Sequence, residues 1–384
     1  MIGSGSSRGF RRVSCLLVVA GLVAVACGGD DSSDAVSDPV ESDDVVSDPV
    51  ESDDAVSDPV ESDELASGPV ECLAPAPLAE RVEIRYGMGN PSEAWAPWLL
   101  ADALGEFEAE NIGAELVQLP QTDGLTALAT GTLEVYATTP AGGFFNAVNS
   151  GLDIRAVAPS GLGGVAPGGF FVRKDVFDDP ENPNLEELRG RSIATLGGLT
   201  SVLIYPTRMA FAEVGMSLDD VTFESLGAAD LYPGLVGGVV DAAYLVAPAS
   251  VDAEQSGEFV RMFGIPEDES LTIFAFGTSL LEADPEVGAA VLRAVFRTQR
   301  THLEGNYRDK PDVIQALADE VGVSTDVFPA DAPYLTWMQE FNKGTYERVQ
   351  ETFIEIGDIL EYDTPLAFEE FADEQFAEMA LAGC

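Results

Sequence analysis

Residues 82–107 read VEIRYGMGNPSEAWAPWLLADALGEF. Residues 82–86 alternate apolar and polar side chains, the pattern of a half-buried strand. Residues 87–95 follow as a loop. Asn90 and Pro91 with Glu93 carry the marks of a helix start: a capping side chain, a proline in the first turn and an acid three residues past the cap. Pro97 lies in the first turn of that helix or kinks it, and Leu100, Leu104 and Phe107 then share one face.

The same unit recurs downstream. Strand 114–119 leads through a turn at 121–124 into helix 125–130. Strand 133–137 leads through 138–143 into helix 144–149, and strand 154–158 closes the set. A second set begins after the glycine-rich residues 161–169. It holds an extended segment at 169–173, a helical turn at 185–190, strand 192–196 and a helix running to about 214. Strand 221–224, helix 232–236, strand 240–244 and a helix from Pro248 complete it. Residues 271–276 form a last extended run. Beyond Pro285 the chain is expected to be helical with short breaks, its apolar stripe running through Val287, Val291, Val295, Phe296, Leu303 and Tyr307. Repeated βα units of this length predict an α/β protein with doubly wound parallel sheets. Met262, Phe263, Trp337, Met338 and Phe353 read as core.

Composition narrows the function. Among 384 residues, 67 are Asp or Glu and 19 are Lys or Arg, a formal charge of −48, which excludes a general nucleic-acid binder. Hydrophobic residues make up 46%, enough for a core. No apolar run reaches the roughly 18–20 residues that span a bilayer. Four Cys and one His leave little room for a His/Cys metal site, and neither metal nor cofactor is expected.

Arg8, Arg11 and Arg12 precede an apolar stretch at 13–26, of signal-peptide length. It ends in AVAC (24–27) followed by GGDD, which resembles a bacterial lipoprotein lipobox. That resemblance implies removal of residues 1–26 and lipidation of Cys27; the alternative is ordinary secretory cleavage near Ala26. Residues 34–63 are three copies of a decapeptide, DAVSDPVESD with Val for Ala in the second, and a decayed fourth copy follows. This stretch has no aromatic residue and repels itself, so residues 27–71 are expected to be a disordered acidic tether. Calcium binding is the weaker alternative, because the EF-hand spacing is absent. Residues 72–384 retain 51 acidic and 16 basic residues, net −35.

Five segments, in order and at matching spacing, resemble the periplasmic substrate-binding proteins of ABC transporters of the nitrate, sulfonate, taurine and thiamine-pyrimidine-precursor type. They are ADALGEFEAENI (101–112), ALATGTLEV (127–135), GLDIRAVA (151–158), LEELRGRSIA (185–194) and GVVDA (238–242). The resemblance covers about residues 82–280. It implies a type II periplasmic-binding-protein fold: two doubly wound α/β lobes joined by two crossing segments, near 168–173 and 271–277. Lobe 1 would comprise 72–174 plus 271–384, and lobe 2 residues 175–270. The ligand would lie between the carboxyl ends of the strands, at loops 87–95, 119–124, 138–143, 197–205 and 244–250.

Candidate ligand-binding residues in those loops are Asn90, Ser92, Glu93, Trp95, Thr122, Asp123, Thr139, Pro140, Gly142, Thr200, Ser201, Tyr205, Tyr244 and Pro248. For most of them a plainer role stands alongside: Trp95 as a core anchor, Glu93, Thr122 and Thr139 as helix caps, Gly142 as a turn residue. His302 reads as a surface or packing residue. The five loops contain no Lys or Arg, and Arg208 is the one nearby cation that would meet an anion. A planar nitrogen heterocycle such as a pyrimidine therefore fits better than an organosulfonate.

The resemblance implies a lipid-anchored extracytoplasmic receptor, a monomer, with a small-molecule ligand, permease and ATPase partners and no nucleic acid. The alternatives are an enzyme on the same fold, like the related pyrimidine-precursor synthases, or a surface sensory protein. The enzyme would need a His and a Lys in the cleft, whereas this chain has His302 and Lys174, Lys310 and Lys343, none in a cleft loop. After processing, Cys72 and Cys384 are the cysteines left for a disulfide in an oxidising compartment; the alternative is two unpaired ends.

Overall fold

The computed structural model describes residues 70–161, 168–382 and 384. The signal segment, Cys27, the tether up to residue 69 and the glycine-rich residues 162–167 lie outside the described residues. Val70 and Glu71, expected as tether, belong to a short 3-10 turn, Val70–Leu73.

The first half of the chain builds strands β1 Val82–Met88, β2 Ile112–Gln118, β3 Val135–Thr138 and β4 Ile154–Pro159. Between them lie helices α1 Ala96–Ala103, α2 Glu106–Ala109, α3 Gln121–Ala129 and α4 Gly142–Asn149. Next come β5 Gly169–Arg173, β6 Ser192–Thr195, α5 Ile204–Glu213, β7 Thr222–Phe223, α6 Ala228–Val236, β8 Ala242–Leu245, α7 Ala249–Ser256 and β9 Phe259–Phe263. The chain then returns through β10 Ile273–Gly277 to α8 Thr278–Leu281, α9 Pro285–His302, α10 Pro311–Val321, α11 Lys343–Ile356, α12 Phe368–Phe371 and α13 Gln375–Ala380. No described helix is long and apolar enough to cross a membrane.

Two five-stranded sheets result, in the orders β2-β1-β3-β10-β4 and β7-β6-β8-β5-β9. The α/β class and the two-sheet architecture are as expected, but the sheets are mixed, not parallel. β10 runs antiparallel to β3 and β4, and β5 runs antiparallel to β8 and β9. Each sheet takes in a strand on which the chain has just crossed over. Such a strand enters from the opposite direction to those fed by βα units.

This shifts the expected crossing segments. Residues 169–173, expected as a crossing, are β5 of the second sheet, and 273–277 are β10 of the first. The chain therefore crosses after β4 and again over about 264–272, between β9 and β10. Other local differences are smaller. The helix after β1 starts at Ala96, with Pro97 in its first turn, and the chain breaks at Gly105 before α2. Residues 121–124 are the first turn of α3, not a separate turn. Strand β9 was not anticipated.

The first core centres on Trp98, fully buried, with Tyr86, Phe107 and Phe274 around it at ring separations of 5.7, 5.4 and 5.1 Å. Pairs of this kind contribute about 0.5–1.5 kcal/mol beyond their area burial. A second core spans both sheets: Phe145 and Phe371 from the first side, Phe170, Phe211 and Tyr244 from the second, and Tyr346, Val349 and Phe353 of α11 between.

The N-terminal segment is strapped onto α9. Arg297 Nη1 donates to the Leu73 carbonyl at 2.9 Å and Arg293 Nη2 to the Ala76 carbonyl at 3.1 Å. Both arginines also bind the fully buried Glu110, at 2.6 and 2.8 Å. Glu106 joins them, pairing with Arg297 at 2.5 Å and with His302 at 3.0 Å. Cys72 and Cys384 are joined by a disulfide with Cα atoms 5.0 Å apart.

Candidate functional site

Strand directions fix where a ligand can meet both sheets. β1, β2, β3 and β4 all run the same way, so their carboxyl ends share one edge. β10 enters at that edge, with Ile273 beside Thr138 and Pro159. In the second sheet, β6 and β8 end at the edge where β5 begins and β9 finishes, with Gly169 beside Leu245 and Phe263 beside Phe170. Both crossings thus join carboxyl edge to carboxyl edge, the edges at which ligands of open α/β sheets bind.

The crossings are bonded to each other near the first sheet. Ser160 N donates to Thr272 O at 3.0 Å, Gly161 N to Ser270 Oγ at 3.1 Å, and Thr272 Oγ1 to Gly161 O at 2.8 Å. Gly161 has φ +107°, and a Cβ there would lie 2.5 Å from the Thr336 carbonyl. Only glycine lets this crossing pass under residues 336–338.

Of the first-lobe candidates, Asn90, Thr122 and Asp123 are exposed, Ser92 and Thr139 half-buried and Pro140 buried. Thr122 and Asp123 lie on the first turn of α3, and the Thr139 carbonyl accepts from Gln121 Nε2 at 3.2 Å. Glu93 is not placed to take a ligand. It is 6% exposed, and its Oε1 accepts from Tyr307 Oη at 2.7 Å and from Arg308 Nε and Nη2 at 3.1 and 2.8 Å. Arg308 Nη2 also reaches Oε2 at 2.8 Å. Trp95 packs against the first core. Gly142 makes room for Ile359, whose Cγ2 would lie 2.7 Å from an added Cβ.

In the second lobe, Thr200 Oγ1 donates to the Gly197 carbonyl at 3.1 Å, and Ser201 Oγ accepts from Leu203 N at 3.2 Å; both thereby order their own loop. Pro248 is exposed and follows a cis bond from Ala247. Tyr244 is 1% exposed, and its hydroxyl has no hydrogen-bond partner among the described residues. Burial pushes its phenol well above the ordinary value. Tyr205 is also buried, which raises its phenol to about 12 although Arg348 opposes the shift.

Tyr205 leads to groups that the sequence reading missed. Its hydroxyl donates to Glu269 Oε1 at 2.8 Å and accepts from Arg348 Nε at 2.8 Å, and Arg348 Nη2 also binds Glu269. Glu269 stands in the second crossing, Tyr205 in α5 and Arg348 in α11. A second pair, Arg208 with Glu355 at 2.7 Å, ties α5 to α11 again. Arg208, the cation expected to rescue an anion site, is therefore already neutralised. Near the second carboxyl edge, Arg261 Nη2 donates to the Gly168 carbonyl at 2.6 Å. Gly169 permits this approach: a Cβ there would lie 2.6 Å from Arg261 Nε and 2.7 Å from the Phe263 carbonyl.

A family model described as NMT1/THI5 like matches residues 92–301. No curated protein matches the chain. Among solved structures, the periplasmic aliphatic sulphonate-binding protein SsuA of Escherichia coli is similar, at 17% identity and TM-score 0.57, over 76% of this chain and 92% of that one. The periplasmic nitrate-binding protein NrtA of Synechocystis is similar at 13% identity and TM-score 0.57, over 79% and 90%. A Candida albicans gene product exhibiting the generic periplasmic binding protein fold matches at 14% identity and TM-score 0.53, over 77% and 94%. These likenesses establish that fold for this chain.

Proposed function

Because the chain belongs to the NMT1/THI5-like family, we propose that it is an extracytoplasmic solute-binding protein of an ABC importer, without catalytic activity of its own. One observation carries the reading: the chain passes twice between the carboxyl edges of the two sheets, on segments bonded to each other, a geometry suited to enclosing a small solute. Capture in the cleft and delivery to a permease with its ATPase is the mode of action that this geometry serves.

The arginines near the cleft bear on the solute. Arg208 is paired with Glu355, Arg348 with Glu269, and Arg261 with the Gly168 carbonyl. An acceptor-only anion such as a sulfonate would have to displace one of these partners. A neutral or cationic nitrogen heterocycle, with pyrimidine as the type, meets no such cost and ranks ahead of an organosulfonate. Mass spectrometry of solute co-purified under native conditions is the direct test. In calorimetric titration, we expect an aminopyrimidine to bind and taurine or an alkanesulfonate to fail; micromolar binding of the latter alone reverses the ranking.

The lipobox-like AVAC supports a lipid anchor at Cys27 as part of this reading. Hydrophobic hold would then come from the acyl chains alone. Cys27→Ala is expected to move the protein from the membrane to the soluble fraction, and unchanged membrane association in that variant would exclude the anchor.

A further inference from the structure

Arg300 lies in the last turn of α9, with its guanidinium set against the Cys72–Cys384 disulfide. Its Nη1 is 3.2 Å from Cys72 Sγ and 3.4 Å from Cys384 Sγ. Its Nε and Nη2 donate to Gln339 Oε1 at 3.1 and 2.6 Å, so a neutral amide orients the guanidinium and leaves its charge in place. Burial holds Arg300 below its ordinary value, and the field of Glu304 opposes that shift. The two sulfurs are not equivalent: Cys384 is exposed and Cys72 half-buried.

We propose that this disulfide is a thiol-exchange site, opened by a dithiol reductant that attacks Cys384 and expels Cys72 as a thiolate held by Arg300. Sulfur in a closed disulfide is a weak acceptor, so the guanidinium gains little from it. Once the bond opens, the same contact becomes a charge-assisted one to a thiolate. Arg300 therefore favours the open pair over the closed one. A cation beside a cysteine lowers its pKa, a leaving thiol of lower pKa departs faster, and a stabilised reduced form makes a disulfide more oxidising. In the first step the reductant's thiolate bonds to Cys384 Sγ, the Sγ–Sγ bond breaks and its electron pair stays on Cys72. In the second, the reductant's other thiol loses its proton to solvent and attacks the reductant's own first sulfur, releasing Cys384. The protein gains two electrons and the dithiol becomes a disulfide. Opening leaves the domain folded, because Arg297 and Arg293 still hold the Leu73 and Ala76 carbonyls and Phe376 still packs on Phe276. What it severs is the link between the strap and α13.

The full chain, equilibrated with dithiothreitol redox buffers at one pH, tests this, with the open fraction read by thiol labelling. Arg300→Met is expected to open about tenfold more slowly. Its equilibrium should move about tenfold toward the closed bond, which is about 30 mV more negative. Arg300→Lys, which keeps a charge, should fall between it and wild type. A purely structural role for Arg300 would lower the melting temperature of the oxidised protein and leave this equilibrium alone, so an unchanged equilibrium in Arg300→Met overturns the proposal. A second measurement keeps Arg300 intact. In Cys384→Ser, the pH dependence of Cys72 alkylation by iodoacetamide should have its midpoint well below the free-thiol value of about 8.5. A midpoint at or above that value overturns the proposal as well.

Discussion

Glu93 sits at the mouth of the first βα connection, where a ligand acceptor is naturally sought, and Arg308 occupies it instead. Both side chains are almost fully buried, at 6% and 1% exposure. Removing one partner of such a pair strands the other charge, at a cost of about 3–5 kcal/mol. Glu93→Ala is therefore expected to lower the unfolding free energy by about that amount in urea titration. Glu93→Ala combined with Arg308→Met should lose much less. Solute affinity of the folded fraction should not change, and a selective loss of affinity would return Glu93 to the site. The partners of Glu93 lie 214 and 215 residues away, so no local spacing marks the pair. The same holds for Tyr205, whose bonds reach Glu269 and Arg348 across 64 and 143 residues. Tyr205 and Tyr244 were legible as side chains of interest because they end a strand or open a helix. What each touches was not legible, because that is decided by packing between distant elements.

Elements were legible where their signal is local. β1, β2, β3 and β4 appeared within a few residues of the bounds read from alternation and turn residues, and α9 carries the stripe expected of it up to His302. Tyr307 falls beyond that helix, in a separate 3-10 turn, because the chain turns at Gly305. Strand direction carries no such signal. Nothing in GFFVR (169–173) or in IFAFG (273–277) says which sheet it joins or which way it runs; that follows from the crossings. β9 was missed because FVRMF (259–263) follows a helix directly and reads equally well as core. Its omission left Phe263 as a core residue and not as the end of a strand. α11 shows a further limit. Its apolar positions announce a packed helix, but its ties to α5 and to the second crossing run through Arg208, Glu355, Arg348 and Glu269, which read in sequence as ordinary surface charges.

At the scale of the whole molecule, the disulfide closes a span of 312 residues. Chain-entropy arguments put the effect of so long a loop at about 6 kcal/mol, with measured effects of about 2–4 kcal/mol more usual. The lower range is expected here, because Arg293, Arg297 and Glu110 hold the N-terminal strap independently of the bond. Cys72→Ser with Cys384→Ser should therefore melt several degrees lower and still fold. Thiol labelling of the non-reduced wild-type protein should find neither cysteine reactive, and two reactive thiols would refute the bond. The same closure has a mechanical side. Tension arriving through the chain ahead of Cys72 reaches a junction with two arms, one running into the strap on α9 and the other into α13. α13 is held in turn by Phe376 against Phe276, at 5.2 Å. Neither arm can be reeled out alone, since the covalent ring makes each drag the other. A tug on this domain is shared by two anchorages in parallel before it reaches either sheet.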